Sequence, residues 1–301
     1  MAVSKKVRMV IYVIYGIAIV MLLAQLTSTN LEMSRYNYEW NGTSRFFELL
    51  EEHHGLEVPS PESLRSVQAD TLLILEPEEP FSDETIAAYQ GFLSRGGTII
   101  IAGERDATNR LLESLGSSSR TLKGTLCSVD TGYSTPFTPI AYRVPIEDGI
   151  GMADRMILNR PVGVTGPEVI METSLLSWRD LDDDGRIGGG ETIQTYPVLV
   201  RESLHNGTLY LLGDGSLFIN GMLEGHTAAE NGKFIGAILE GRPAMDQIVS
   251  LTRRGDGLLP LFAFIKSTYM AKMALVSVTV LLTAFLWWRR EARDEGEEDG
   301  A

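Results

Sequence analysis

Cysteine is almost absent, with Cys127 alone among 301 residues. No intrachain disulfide can form, so the chain has to hold together by its own apolar core, which 44% hydrophobic content can supply. Basic residues are also short: 26 Lys and Arg stand against 40 Asp and Glu, a formal net charge of -14. A nucleic-acid partner would require a basic face to meet phosphates, and this balance argues against one. No internal repeat is visible.

Two uncharged or nearly uncharged apolar runs sit at the ends. The first extends from Met9 to Leu26, long enough at about 1.5 Å per residue to approach the thickness of a bilayer's hydrocarbon core. It exceeds the apolar segment of a secretory signal and lacks a small-residue cleavage site, which favours an uncleaved anchor. The second, Tyr269 to Trp288, is interrupted only by Lys272 and ends in Trp287 and Trp288, followed at once by Arg289 and Arg290. Lys5, Lys6 and Arg8 precede the first run, so the positive-inside rule puts both termini in the cytoplasm. The expected organisation is a cytoplasmic N-terminus (1–8), a transmembrane helix (9–27), an extracellular α/β domain (28–268), a second transmembrane helix (269–288) and an acidic cytoplasmic tail (289–301). The lipid bilayer would then be a partner, and the protein a two-pass protein of the cell membrane.

Within residues 28–268, Ser44 to His53 reads as an amphipathic helix with Thr43 or Ser44 as N-cap, followed by a short strand at Leu56 to Val58. DTLLILEP (70–77) and TIIIAGE (98–104) are continuous apolar runs, the pattern of parallel strands buried on both faces. Each precedes a helix: one opens at Ser82 and stops at Gly96-Gly97, and the other is ATNRLLESLG. This alternation predicts a parallel sheet with right-handed crossovers. Asn206-Gly207 predicts a type I′ hairpin turn, and ENGKFIGAILEG a final helix. The stretch from Leu122 to Thr173 carries no pattern clear enough to place its elements.

WNGTSRFFELLEEHHGLEV, TLLILEPEEPFSDETIAAYQGFLSRGGTIIIAGE and GTLYLLGDGSLFINGMLEGHTAAENGKFIGAIL together resemble the domain of unknown function 4350. That family is similar in turn to the auxiliary component of gliding-motility-type ABC transporters and, more distantly, to class I glutamine amidotransferases. The resemblance covers most of residues 33–241 and implies a flavodoxin-like α/β ectodomain between two transmembrane helices, with no established activity. It also suggests membrane-complex partners, transporter-linked or AAA-ATPase-linked. In active amidotransferases a nucleophilic cysteine follows a buried strand on a sharp turn. Here that turn holds Glu104, Arg105 and Asp106, and none of His53, His54, His205 and His226 stands in a His-x-Glu pair.

Four groups of residues are candidates. Asp214, Gly215, Ser216 and Asn220 follow a strand where open α/β folds bind ligands, although Asp214 and Ser216 also fit a helix cap. Asn41 and Asn206 begin Asn-Gly-Thr glycosylation sequons. Cys127 lies in GTLCSVDTG without an elbow pattern and reads as a packed structural thiol. The segment DLDDDGRIGGGE matches the ligand spacing of a twelve-residue calcium loop: Asp180, Asp182 and Asp184, then Gly185 at the sharp turn, the Arg186 carbonyl, and Glu191 closing the shell. Its flanks read as strands, so the match is to ligand spacing and not to a helix-loop-helix unit. A structural Ca2+ is the expected cofactor.

The resulting expectation is a non-enzymatic membrane-anchored protein whose extracellular domain binds a ligand or protein partner within a membrane complex. One rival is a divergent hydrolase using Cys127 or the Asp214/Ser216 region. Another is a structural envelope spacer.

Overall fold

Short apolar runs that alternate with amphipathic helices must bury both faces of each run, and a helix-flanked sheet does so. The computed structural model describes residues 14–16, 30–145, 153–224 and 228–253, with Met273, Ser277, Val278, Leu281 and Phe285. The chain divides into two compact units, residues 1–29 with 255–301, and Asn30–Arg254. The second unit carries both sheets and all the candidate residues.

Its elements in chain order are α1 (Ser44–Glu52), β1 (Leu56–Val58), α2 (Pro61–Ser66), β2 (Thr71–Leu75), α3 (Asp83–Ser94), β3 (Thr98–Ala102) and α4 (Asp106–Leu115). Next come β4 (Arg120–Ser128), β5 (Ile140–Arg143), β6 (Arg155–Ile157), β7 (Val162–Thr165), β8 (Glu168–Thr173) and β9 (Ser177–Asp180). The last are β10 (Pro197–Leu204), β11 (Gly207–Leu212), α5 (Asn220–Leu223), α6 (Ala228–Ile238) and β12 (Pro243–Asp246). A nine-stranded sheet runs β1-β12-β2-β3-β11-β10-β8-β5-β6, and a three-stranded sheet runs β7-β4-β9.

Strands β1, β12, β2, β3 and β11 pair in parallel, as expected of the apolar runs. The flavodoxin-like parallel sheet is realised only in this half, because β10, β8, β5 and β6 extend it by antiparallel pairing. The physical reason is the tight connection before β11, because a two-residue hairpin can join only antiparallel strands. That turn is also displaced by one residue from the expected Asn206-Gly207. Leu204 pairs with Gly207, and His205 takes the positive φ of 56°. Gly207 is required for a different reason: a Cβ there would lie 2.3 Å from the Gly97 carbonyl oxygen.

The strand runs divide by alternation. Leu72, Ile74, Ile99 and Ile101 face Tyr89, Phe92 and Leu93 of α3 and Leu111, Leu112 and Leu115 of α4. Leu73, Leu75, Ile100 and Ala102 face the opposite core, with Phe46 of α1 and Phe234 and Ile235 of α6. Phe46 meets Phe218 edge to face, with centroids 5.2 Å apart. Expected caps are partly realised. The Ser82 side chain accepts from the Thr85 amide at 3.1 Å. Thr43 instead turns its hydroxyl to the Met33 carbonyl, and the Arg45 amide of α1 is met by Asn220 Oδ1 at 2.8 Å.

The two-pass membrane placement is corrected. Among the described residues no helix is long and apolar enough to cross a membrane. An apolar run supplies only a possible span, and crossing requires a continuous helix of that length. The segments 9–27 and 269–288 lie outside the described residues, apart from 14–16, Met273, Ser277, Val278, Leu281 and Phe285. Cytoplasmic termini and an extracellular main domain, which rested on those spans, lose their basis with them.

Candidate cation site and strand-end crevice

The acidic segment forms the connection between β9 and β10, strand on both sides as its sequence suggests. Asp183 and Gly185 take positive φ values of 64° and 71°, so the chain folds tightly back on itself where the spacing requires a sharp turn. Asp180 is buried and its carboxylate organises the turn: Oδ1 accepts from the Asp183 amide at 2.7 Å, and Oδ2 from the Gly185 amide at 2.7 Å. Burial opposes its ionisation, but these amide hydrogen bonds outweigh it and hold the carboxyl below its ordinary value. Asp182 shifts the other way, raised chiefly by the charge of Asp184.

Asp180, Asp182 and Asp184 each place a carboxylate oxygen within 4.8 Å of the others, a grouping that could hold a metal ion. Glu191 is not part of that grouping. Its oxygens accept from the Leu181 amide at 2.9 Å and the Gly188 amide at 2.7 Å, which closes the loop on itself. The exposed Arg186 gives its amide to Asp184 Oδ1 at 2.7 Å. Asp183 points away from the cluster and pairs with Arg160, whose guanidinium lies 4.3 Å from the Phe137 ring centre. The loop is therefore braced by residues of the middle stretch, where sequence pattern places no elements.

At the carboxyl ends of the parallel strands lies a second acidic group. Asp214 is fully buried: Oδ2 accepts from the Asn159 amide at 2.8 Å, and Oδ1 from Ser216 Oγ at 2.7 Å and the Leu217 amide at 3.1 Å. Ser216 also donates to the Asn159 carbonyl at 2.9 Å. Asp214 is the N-cap of the short 3-10 turn Gly215–Phe218, whereas Ser216 lies within that turn and joins it to Asn159. Burial, and then the charge of Glu104, push Asp214 up to about 7.

Glu76, directly after β2 and 2% exposed, sits at a positive φ of 44°. Its Oε1 accepts from the Glu104 amide at 3.1 Å. Its Oε2 receives no hydrogen bond and lies 3.3 Å from Arg105 Nε. Burial raises the Glu76 carboxyl. Glu104 is reached by solvent as a residue, yet its Oε2 is set 3.2 Å from the Gly215 amide. The protein around that carboxylate, then the Glu76 charge, raise it well above its usual value. Gly215 has no alternative here, since a Cβ would stand 2.2 Å from Glu76 Oε1. Sequence pattern points to Asp214 but misses Glu76 and Glu104. The available signal is that each is an acidic residue at or near the end of a buried parallel strand.

The remaining candidates are dispersed. Asn220 is 3% exposed, and its amide spans Arg45, Ser44 and the Glu39 carbonyl, which fixes residues 37–45 to α5. Asn41 accepts from Asn37 Nδ2 at 2.9 Å, whereas Asn206 is exposed at the hairpin tip. Cys127 is buried on β4; burial, then the charge of Asp180, push its thiol up to about 12. His226 lies outside the described residues.

The architecture defines a mixed α/β domain whose strand ends are occupied by its own carboxyl groups. The chain belongs to the family described as domain of unknown function DUF4350, matched over residues 35–232. Comparison with curated proteins gives no match. Among solved structures, the mmIFT52 N-terminal domain is 16% identical over 60% of this chain and 79% of its own, with a TM-score of 0.45. A β-galactosidase from Bacillus circulans sp. alkalophilus is 14% identical over 55% of this chain and 22% of its own, at 0.31. A ThuA-like protein from Parabacteroides merdae is 8% identical over 57% and 71%, at 0.35. Likenesses at this level carry no argument about activity.

Proposed function

We propose that this chain is a non-catalytic binding domain in which Ca2+ orders the connection between β9 and β10. The observation that carries the reading is the convergence of Asp180, Asp182 and Asp184 oxygens to within 4.8 Å. Oxygens bound to Ca2+ at about 2.3–2.6 Å lie at most about 5 Å apart, so the cluster needs little movement to ligate. A hard cation suits an all-oxygen set, and the open loop leaves room for water in the remaining positions. Two of the three aspartates are exposed, which favours a weak site of roughly 0.1–1 mM.

A binding role suits the candidate nucleophiles as they stand. The Cys127 thiol is buried and hard to ionise, and the Ser216 hydroxyl is taken up by Asp214 and Asn159. The sequence resemblance to transporter-linked auxiliary components suggests a protein partner within an assembly. Melting of the full-length chain with rising Ca2+ tests the cation reading. Saturable stabilisation, absent with Mg2+ at equal ionic strength, is the expected result; no change up to several times the site's expected affinity removes it.

A further inference from the structure

A cavity of about 370 Å³ opens beside the acidic loop, with Leu122 of β4, Val164 of β7 and Leu181 on its apolar side and Thr165, Thr192 and Gln194 among its polar lining. Arg179 of β9 also lines it, half-buried. Alternation along β9 turns Arg179 to the face opposite the buried Trp178 and Asp180. Among the described residues its guanidinium makes no ion pair or hydrogen bond. Most described arginines, Arg45, Arg110 and Arg201 among them, instead pair with a carboxylate. Glu191, also in the lining, makes no ion pair with Arg179 and turns its two oxygens to amides of its own loop. A half-buried guanidinium without an ion pair or hydrogen bond to the described residues, in the wall of a cavity with both apolar and hydroxyl or amide side chains, is a receptor for a planar or tetrahedral anion. The volume is at the small end of the range for small-molecule sites.

We propose that this cavity binds a small amphipathic monoanion, a carboxylate, sulfonate or phosphate monoester on a compact apolar body, with Arg179 as the anion-binding residue. The apolar walls take the body and the guanidinium takes the charged end in a forked contact.

The test uses 8-anilinonaphthalene-1-sulfonate as the probe and its uncharged counterpart N-phenyl-1-naphthylamine as the control. Both are titrated by fluorescence into the full-length chain in excess EDTA, so the outcome does not depend on the loop's cation. One anion per chain is expected, with Arg179→Gln weakening it roughly tenfold at unchanged melting temperature. Arg179→Lys, which keeps the charge but not the fork, should lose less, and it decides the matter if the Gln variant is unstable. The neutral compound should bind more weakly and be indifferent to either substitution. Equal binding of the anion to wild type and both variants, or a neutral compound that binds as tightly as the anion, overturns the proposal.

Discussion

The Cys127 thiol lies 3.8 Å from Oδ2 of Asp180, both residues buried, on the paired strands β4 and β9. The only cysteine of the chain is thus part of the floor beneath the first carboxylate of the acidic loop. Two readings that compete in the sequence, thiol chemistry and cation binding, meet at one place in the fold. Burial and the Asp180 charge push the thiol up to about 12, so it stays protonated and unreactive at neutral pH. Alkylation by iodoacetamide should proceed only in denaturant; rapid modification of the native chain would contradict this placement.

The strand-end carboxyls give a pH signature. The folded-state pKa of Asp214 is raised to about 7 against about 4 when unfolded, so the folded state holds the extra proton between those values. The associated stability is complete below about pH 4 and is lost as pH rises through about 7, at about 1.4 kcal/mol per pH unit. Glu76 and Glu104, raised in the same direction, add to the slope. Glu104→Gln removes one charge from the group while its amide oxygen can still meet Gly215. Because Glu104 is open to solvent, the expected stabilisation at pH 8 is only about 1 kcal/mol. Urea unfolding at pH 5 and pH 8 measures both effects.

Glu202 acts in the opposite sense. From β10 it accepts hydrogen bonds from Ser117 Oγ at 2.5 Å, from the Ser118 amide and hydroxyl at 2.8 Å, and from Ser119 Oγ at 2.7 Å. Burial opposes its charge, but these donors prevail and hold it at about 2. Its contribution is present above its ordinary carboxyl value and disappears as pH falls toward about 2. Glu202→Ala strands the serine donors and should cost roughly 2–4 kcal/mol in denaturant unfolding at pH 7.

Gly215→Ala tests the crowding at the crevice. The added methyl would enter the space of the Glu76 carboxylate, 2.2 Å from Oε1, and Glu76 is itself held by buried surroundings. A loss of about 1–3 kcal/mol is expected; a neutral substitution would mean that Glu76 can move aside.

Local pattern made much of the fold legible. The runs at 70–77 and 98–104 become β2 and β3, Ser82 caps α3, and Gly116 closes α4 in the left-handed conformation that glycine favours. The middle was not legible because its strands answer to distant partners. β4 pairs with β7 and β9, and its burial alternation is broken near Gly124, which sits at φ 88°. The same distance hid the role of Asn220, which caps a helix 175 positions away. At the acidic loop the spacing foretold three converging aspartates, while the inward closure of Glu191 depends on loop amides that no spacing rule contains.

The cation site is tested most directly with terbium, a luminescent stand-in for Ca2+. Trp178 lies two residues before Asp180 on β9 and can sensitise an ion held by the loop. Excitation of tryptophan in the full-length chain should give terbium emission that Ca2+ displaces and Mg2+ does not, and Asp182→Asn with Asp184→Asn should abolish it. Emission that survives the double substitution, or none at millimolar terbium, would contradict a cation site in this loop.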